Sequence, residues 1–419
     1  MKQIFCLGGF SNNTATLAGS DHPNGFLCLA DRSGGAKNFN DDGFRFNVIP
    51  ANGKFRRLTY QVDNAPGSGK NPLVLDVNIA GSAIFPLLTI NDPDTLKSQN
   101  YNTSVSAGNK AYVRSSYTTG ANSPTTGDCS WSIGWESSTA GQAILGHYTC
   151  RPLVDMVPLS GTTWYYSIIG DFLSTTESSA SLYASLAGTI KSFYVLASRT
   201  TFDGSGSMTF SIYKNGAEEA SAQVVFNESA TSGNVTGLSI AFSAGDTLSF
   251  SATGSGTITD AKTGTISFGV MYEPSTDGES IIAGGSSINL TTGTTYFSMN
   301  LFETLTAGGA EADRNVTSTG TYTLKDFRIN LGTAPGVGKS RTFRVRKNGA
   351  NTDIVVTISG ASTSGTDSTN TATFNTEDLF AISATESGTA ANSTMKWSAV
   401  MYGVDFLSLN ILARPMYTI

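Results

Sequence analysis

The amino-acid sequence predicts an all-β fold of three tandem antiparallel β-sandwich domains, jelly-roll-like, with an N-terminal arm and a short C-terminal tail. Three observations predict it. Ser, Thr, Gly and Asn crowd every segment, with 45 glycines among 419 residues and only 14% charged side chains. Such residues weaken helical backbone bonding and suit turns and solvent-facing strand positions. Apolar and polar residues also alternate with period two, as in Thr209-Phe210-Ser211-Ile212-Tyr213 and Thr342-Phe343-Arg344-Val345-Arg346, which put an aromatic and a β-branched residue on one face. Finally, the chain repeats itself.

A Gly-x-Gly turn recurs in Ala65-Pro66-Gly67-Ser68-Gly69-Lys70, Phe202-Asp203-Gly204-Ser205-Gly206-Ser207 and Ala334-Pro335-Gly336-Val337-Gly338-Lys339. Gly204 follows Gly67 by 137 residues, and Gly336 follows Gly204 by 132. A second marker, Ala107-Gly108-Asn109, Ala244-Gly245-Asp246 and Thr376-Glu377-Asp378, keeps the same two offsets. Applied along the chain, those offsets superpose Val113, Phe250 and Ile382, then Leu58, Val195 and Phe327, then Ile133, Val270 and Tyr402. Unrelated segments would not keep this parity of apolar positions. Trp135 aligns with Tyr272, and the junction Glu136-Ser137-Ser138-Thr139-Ala140-Gly141 matches Glu273-Pro274-Ser275-Thr276-Asp277-Gly278.

The elements follow in chain order. Residues 1–22 form the arm, with apolar Ile4, Phe5, Leu7 and Phe10. Residues 23–150 form the first copy, the most divergent, because Pro72 to Ile79 shifts phase and the loop Asn91-Asp92-Pro93-Asp94 follows it. Residues 151–284 and 285–405 form the second and third copies, where Lys214-Asn215-Gly216 and Lys347-Asn348-Gly349 are hairpin signals, since a type I′ turn needs positive φ. Runs between turns give about eight strands per copy, the jelly-roll number. Residues 406–419 form the tail, with Phe406, Leu407, Leu409, Ile411 and Leu412.

Composition excludes several function classes. The net charge is -6 and no basic stripe runs along the chain, so no nucleic-acid partner is expected. No run of about eighteen apolar residues occurs, so no membrane insertion is expected. The start has one lysine and a short apolar run broken by glycines, a poor secretion signal, so no cleaved leader is expected. Cys6, Cys28, Cys129 and Cys150 lack metal spacing and are expected as free thiols.

Motifs with a chemical look are weak. Ala334-Pro335-Gly336-Val337-Gly338-Lys339-Ser340 imitates a phosphate loop, but Thr333 stands where the first glycine is needed and a strand follows. Histidine occurs only as His22 and His147, so no repeated catalytic constellation arises. Adjacent acids, Asp41-Asp42 and Glu218-Glu219, point to opposite faces of a strand. Asn91, Asp92 and Asp94, or Asp41 and Asp42, offer hard oxygens for calcium without the Gly-centred calcium spacing. No catalytic residue, cofactor or metal is therefore assigned. Lys339, Arg341, Arg344, Arg346 and Lys347 form a basic cluster, with Arg344 and Arg346 on the outward strand face. It suits an acidic partner or an anionic glycan, or else edge protection against sheet aggregation.

Ala334 to Ser340, then Phe343 to Gly349 with an Asp-bearing turn, then Trp397-Ser398-Ala399-Val400-Met401-Tyr402, resembles repeats in virion proteins of tailed bacteriophages, head-decoration and fibre-like proteins with tandem jelly rolls. The likeness is best in the third copy and weakest in the first. It implies a structural component without catalytic residues, a homotrimer at the virion surface, assembled in the host cytoplasm. The arm residues Ile4, Phe5, Leu7 and Phe10 and the tail residues Phe406, Leu407, Leu409, Ile411 and Leu412 are then the expected docking contacts with the major capsid or other virion proteins, the alternative for the tail being that it completes the last strand of the third domain. The rival reading is a host-surface or glycan-binding adhesin, with Tyr117, Trp131 or Tyr183 as stacking platforms.

Overall fold

The computed structural model describes residues 4–11, 22–26, 29–30, 46–62, 65–83, 87–116, 129–149, 161–169, 172–197, 202–258, 260–261, 266–287, 289–290, 292–299, 302–303, 311–318, 321–375, 378–403 and 411–413. Almost all of them lie in antiparallel strands and their turns. Unit two shows the plan: Ala143–Thr149, Thr163–Ser167, Gly188–Ala197, Ser207–Lys214, Ala217–Asn227, Ser232–Phe242, Thr247–Ser255 and Ile266–Pro274 are its strands 1 to 8. One sheet has the order 1-8-3-6 and the facing sheet 2-7-4-5, the strand order of a jelly roll.

Unit three repeats this with Glu279–Ser286, Thr295–Phe297, Tyr322–Leu331, Gly336–Lys347, Ala350–Gly360, Ser364–Asp367, Leu379–Ser387 and Met395–Gly403. Unit one does so with Ile4–Ser11, His22–Phe26, Gly53–Val62, Leu73–Ile79, the short pieces Ser82–Ala83 and Leu88–Ile90 in place of strand 5, Leu96–Val105, Lys110–Ser116 and Cys129–Ser137. The divergence expected there is thus concentrated in a broken fifth strand.

Strand pairing moves the expected boundaries. In every unit strand 1 lies antiparallel to strand 8: Ile4–Ser11 on Cys129–Ser137, Ala143–Thr149 on Ile266–Pro274, and Glu279–Ser286 on Met395–Gly403. Residues 4–11 are therefore the first strand of unit one, not a free arm, and the expected cuts at 150 and 284 fall beyond or inside the first strand of the following unit. The Ser/Gly-rich stretches after Glu136 and Glu273 are the breaks themselves, pinned where the Ser138 N–H donates to the Asn52 carbonyl at 2.9 Å and the Ser275 N–H to the Ala187 carbonyl at 2.8 Å.

The marker turns share one hydrogen-bond pattern. Asn109, Asp246 and Asp378 each close a turn through their backbone N–H, donating to Ser106, Ser243 and Asn375 at 3.1 Å. Their side-chain oxygens accept in return from the N–H of the same three residues, at 2.9, 2.8 and 2.7 Å. Their carbonyls then accept from Ile49, Ala184 and Ser318, which fixes the segment preceding strand 3 in each unit.

Phe193, Phe210, Phe250 and Phe268 fill the centre of unit two, and Phe297, Tyr322, Phe374, Phe380 and Trp397 that of unit three. One continuous apolar cluster runs through units one and two and reaches Ile281, Ala283 and Val400 of unit three. Apolar packing across the junctions restrains relative motion that a polar linker would permit.

Candidate functional site

The motifs that repeat most clearly meet in space. In unit two the Asn215 side-chain amide donates to Asp246 at 2.9 Å, and the Thr247 N–H donates back to the Asn215 side-chain oxygen at 2.8 Å. In unit three Asn348 donates to Asp378 at 2.7 Å and accepts from the Leu379 N–H at 2.7 Å. Asn215 and Asn348 sit at φ of 53° and 50°, the left-handed turn conformation that asparagine tolerates. The hairpin turn between strands 4 and 5 is thereby clamped to the turn between strands 6 and 7. In unit one Ala80, at φ 51°, keeps only the backbone part, its N–H on the Lys110 carbonyl at 2.8 Å. Asn348→Ala is expected to cost about 1–2 kcal/mol by orphaning these partners, read as faster amide exchange in strands 4 to 7 of unit three.

Carboxylates are likewise committed to backbone. Burial pushes Asp367 up, but the Asn370 side-chain amide and the N–H groups of Val355, Asn370 and Thr369 outweigh it and hold the carboxyl at about 2. The same balance, with Lys347 and Asn348 contributing, lowers Asp378. A depressed carboxyl stabilises the fold above its unfolded value of 3.8 and loses that contribution as pH falls through the folded value. Unit three should therefore weaken between about pH 4 and pH 2. Asp367→Asn should be less stable at pH 7 and flatten that acid limb, as followed by amide exchange resolved to unit three and corrected for the intrinsic rate at each pH.

The basic strand face is corrected by burial. Arg341 has the parity of Phe343 and Val345 and points inward, with 2% exposure. Its Nη2 donates to the carbonyls of Leu290 at 3.0 Å, Ala391 at 2.9 Å and Ala390 at 3.3 Å, and it lies 3.7 Å from the Glu386 carboxylate. Burial pulls its pKa down against the opposing charge of Glu386. Arg346 grips Glu311 through two bonds at 2.9 and 2.8 Å and lies over the Tyr296 ring, while Lys347 meets Asp378 at 2.9 Å. Among the described residues only Lys339 and Arg344 of the five have no ion pair. The phosphate-loop look-alike is the irregular start of strand Gly336–Lys347, where the register against Ala350–Gly360 slips between Gly336 and Ser340; Gly336 and Gly338 sit at φ 103° and 72°, and Val337 between them is 95% exposed.

The other expected contacts are placed as follows. Ile4, Phe5, Leu7 and Phe10 pair in register with Glu136, Trp135, Ile133 and Ser130. Phe406, Leu407, Leu409, Tyr117, Asp41 and Asp42 lie outside the described residues, as do the side chains of Trp131, His22 and His147. Ile411 and Leu412 lie in strand Ile411–Ala413, paired with Val316–Ser318. Tyr183 is half-buried in the segment Leu182–Tyr183, which packs on strands 1 and 8 of unit three. Asp94 is tied to Lys97 at 3.0 Å in the turn that its N–H closes on Asn91, and among the described residues no three acidic, histidine or cysteine side chains converge as metal ligands.

Sequence reasoning missed the junction of units two and three. There the short helix Glu177–Ala180 carries Glu177, which accepts from Ser249 at 2.9 Å, and Lys396 of unit three donates to the Ser178 carbonyl. Burial lowers Lys396 to about 8, against the nearby charge of Glu177. Beside them Tyr213 is pushed up to about 12 by burial and by Tyr165, Glu218 and Glu177, with its ring edge-on to Tyr165 at 5.1 Å. Nothing in spacing reveals this cluster, because its members come from different strands and different units.

No family model matches the chain, and no curated protein matches its sequence. Among solved structures it is similar to the atomic structure of Sulfolobus turreted icosahedral virus, at 11% identity over 88% of this chain and 86% of that one, with a TM-score of 0.16. It is also similar to the insecticidal delta-endotoxin Cry8Ea1 from Bacillus thuringiensis, at 11% identity over 56% of this chain and 55% of that one, with a TM-score of 0.16. The strand pairing of this chain carries the fold assignment.

Proposed function

We propose that the chain is a non-enzymatic structural protein of a bacteriophage virion, a head-decoration or fibre-like component that docks on the particle and projects outward. The observation that carries this reading is the use to which its polar side chains are put. Asn215, Asp246, Arg341, Asn348, Asp367 and Asp378 bind backbone groups and one another across turns. Such residues hold the second and third jelly rolls in fixed shape, and burial of surface rather than chemistry is then the mode of action. The motif resemblance of the third unit points the same way. Antibodies raised against the purified protein should label the surface of intact particles at a fixed copy number per shell. Absence of the chain from purified particles would overturn the proposal, and binding of the purified protein to host cells would favour the adhesin reading instead.

A further inference from the structure

We propose that the three units close head to tail into a ring within one chain, and that the strand Ile411–Ala413 seals it. The segment preceding strand 3 occupies the same place in every unit, bonded through Ile49, Ala184 and Ser318 to the marker turns. In unit one this segment, Asn47–Val48, lies against strands 1, 3 and 8 of unit two. The Val48 N–H donates to the Ser267 hydroxyl at 2.9 Å, and the Ser192 hydroxyl donates to the Pro50 carbonyl at 3.0 Å. In unit two the counterpart, Leu182–Tyr183, lies against strands 1 and 8 of unit three, and the Ser185 hydroxyl donates to the Ala399 carbonyl at 2.7 Å.

Unit three makes this contact differently. Its counterpart, Val316–Ser318, pairs antiparallel with Ile411–Ala413, matching Val316 to Ala413, Thr317 to Leu412 and Ser318 to Ile411. Ile411–Ala413 in turn lies against Ile4–Ser11 and Cys129–Ser137, strands 1 and 8 of unit one. Strands 1 and 8 thus receive the contact in all three units, and the tail bridges the one between units three and one. A heterologous interface repeated at a rotation that closes makes a ring. Here the donor and the acceptor are joined by the chain, so the contacts a homotrimer would make between copies are made between units. The tail strand covers the Val316–Ser318 edge, a row of backbone groups that would otherwise recruit another chain. The inference is independent of any role in a virion.

Leu412→Pro and a chain ending at residue 405 test it, since proline cannot donate to the ladder. The full chain should behave as a compact monomer of 43.8 kDa. Both variants should lose amide protection at 316–318 and gain radius of gyration in solution scattering, while strands Gly188–Ala197 and Ile266–Pro274 keep their protection. Unchanged scattering and protection in both variants would overturn the proposal. So would a trimeric mass for the full chain, with the tail strand supplied by a neighbouring copy, or an even loss of protection across all three units.

Discussion

Arg341→Ala is expected to destabilise the third unit by about 3–5 kcal/mol, because removing one partner from a buried charged network leaves the others desolvated and unpaired. The guanidinium reaches the carbonyls of Leu290, Ala390 and Ala391, and Glu386 both faces it and accepts from the Ala390 N–H at 3.1 Å. One side chain therefore holds the loop before strand 8 and the approach to strand 2 against strand 4. Domains of this size are stable by about 5–15 kcal/mol, so the loss is a large fraction of the whole. Arg341→Lys keeps the charge but not the planar fork, and should retain only part of the stability. With three units in one chain a melting midpoint is poorly defined, so unit-resolved amide exchange is the measurement. Exchange in unit three within a few-fold of the parent in the alanine variant would show that the pin is not needed.

Phe268→Ala should cost unit two about 3–5 kcal/mol, the range for deleting a buried aromatic side chain and leaving a cavity. Phe268 is fully buried and its ring meets Tyr166 at 5.1 Å, Phe193 at 6.2 Å, Phe210 at 5.8 Å and Phe250 at 5.0 Å. Those neighbours come from both sheets of the sandwich, so the void cannot be filled by the shift of one strand. Phe268→Leu should lose less, in proportion to the smaller volume removed. The units one and two share one apolar cluster, so exchange should also rise at the Val48 and Ser267 contact. A loss confined to unit two would mean that the junction is uncoupled from the core behind it.

Much of this fold is legible in the sequence, because turns and alternation are local. The Lys-Asn-Gly hairpins and the Asx-closed turns fall where their spacing predicts, and the aromatic and β-branched residues of strand 4 face inward. A constant offset fails inside the units, however. Leu58 pairs with Ile133, and Val270, the counterpart of Ile133, pairs with Phe193 rather than the expected Val195. A slip of two residues keeps the face, so both Phe193 and Val195 are buried. Tyr402 fails more visibly: it is half-buried and flanks Met401, which faces the core. Against strand 8, strand 3 carries an extra residue at the same place in each unit, between Phe55 and Arg57, Ile190 and Ser192, and Lys325 and Arg328, and no count along the chain reveals these bulges.

The site was less legible. Arg341 looks like part of a basic surface by composition, although its parity with Phe343 and Val345 points it inward. What the sequence by itself determined is the all-β class, the threefold repetition and the turn chemistry, since each depends on residues close together in the chain. Only the tertiary structure decided which neighbour each edge meets. Ile4–Ser11 and Ile411–Ala413 read alike as apolar ends, yet one completes a sheet and the other bridges unit three to unit one. That difference lies in backbone hydrogen bonds between segments remote in sequence, which side-chain pattern does not encode.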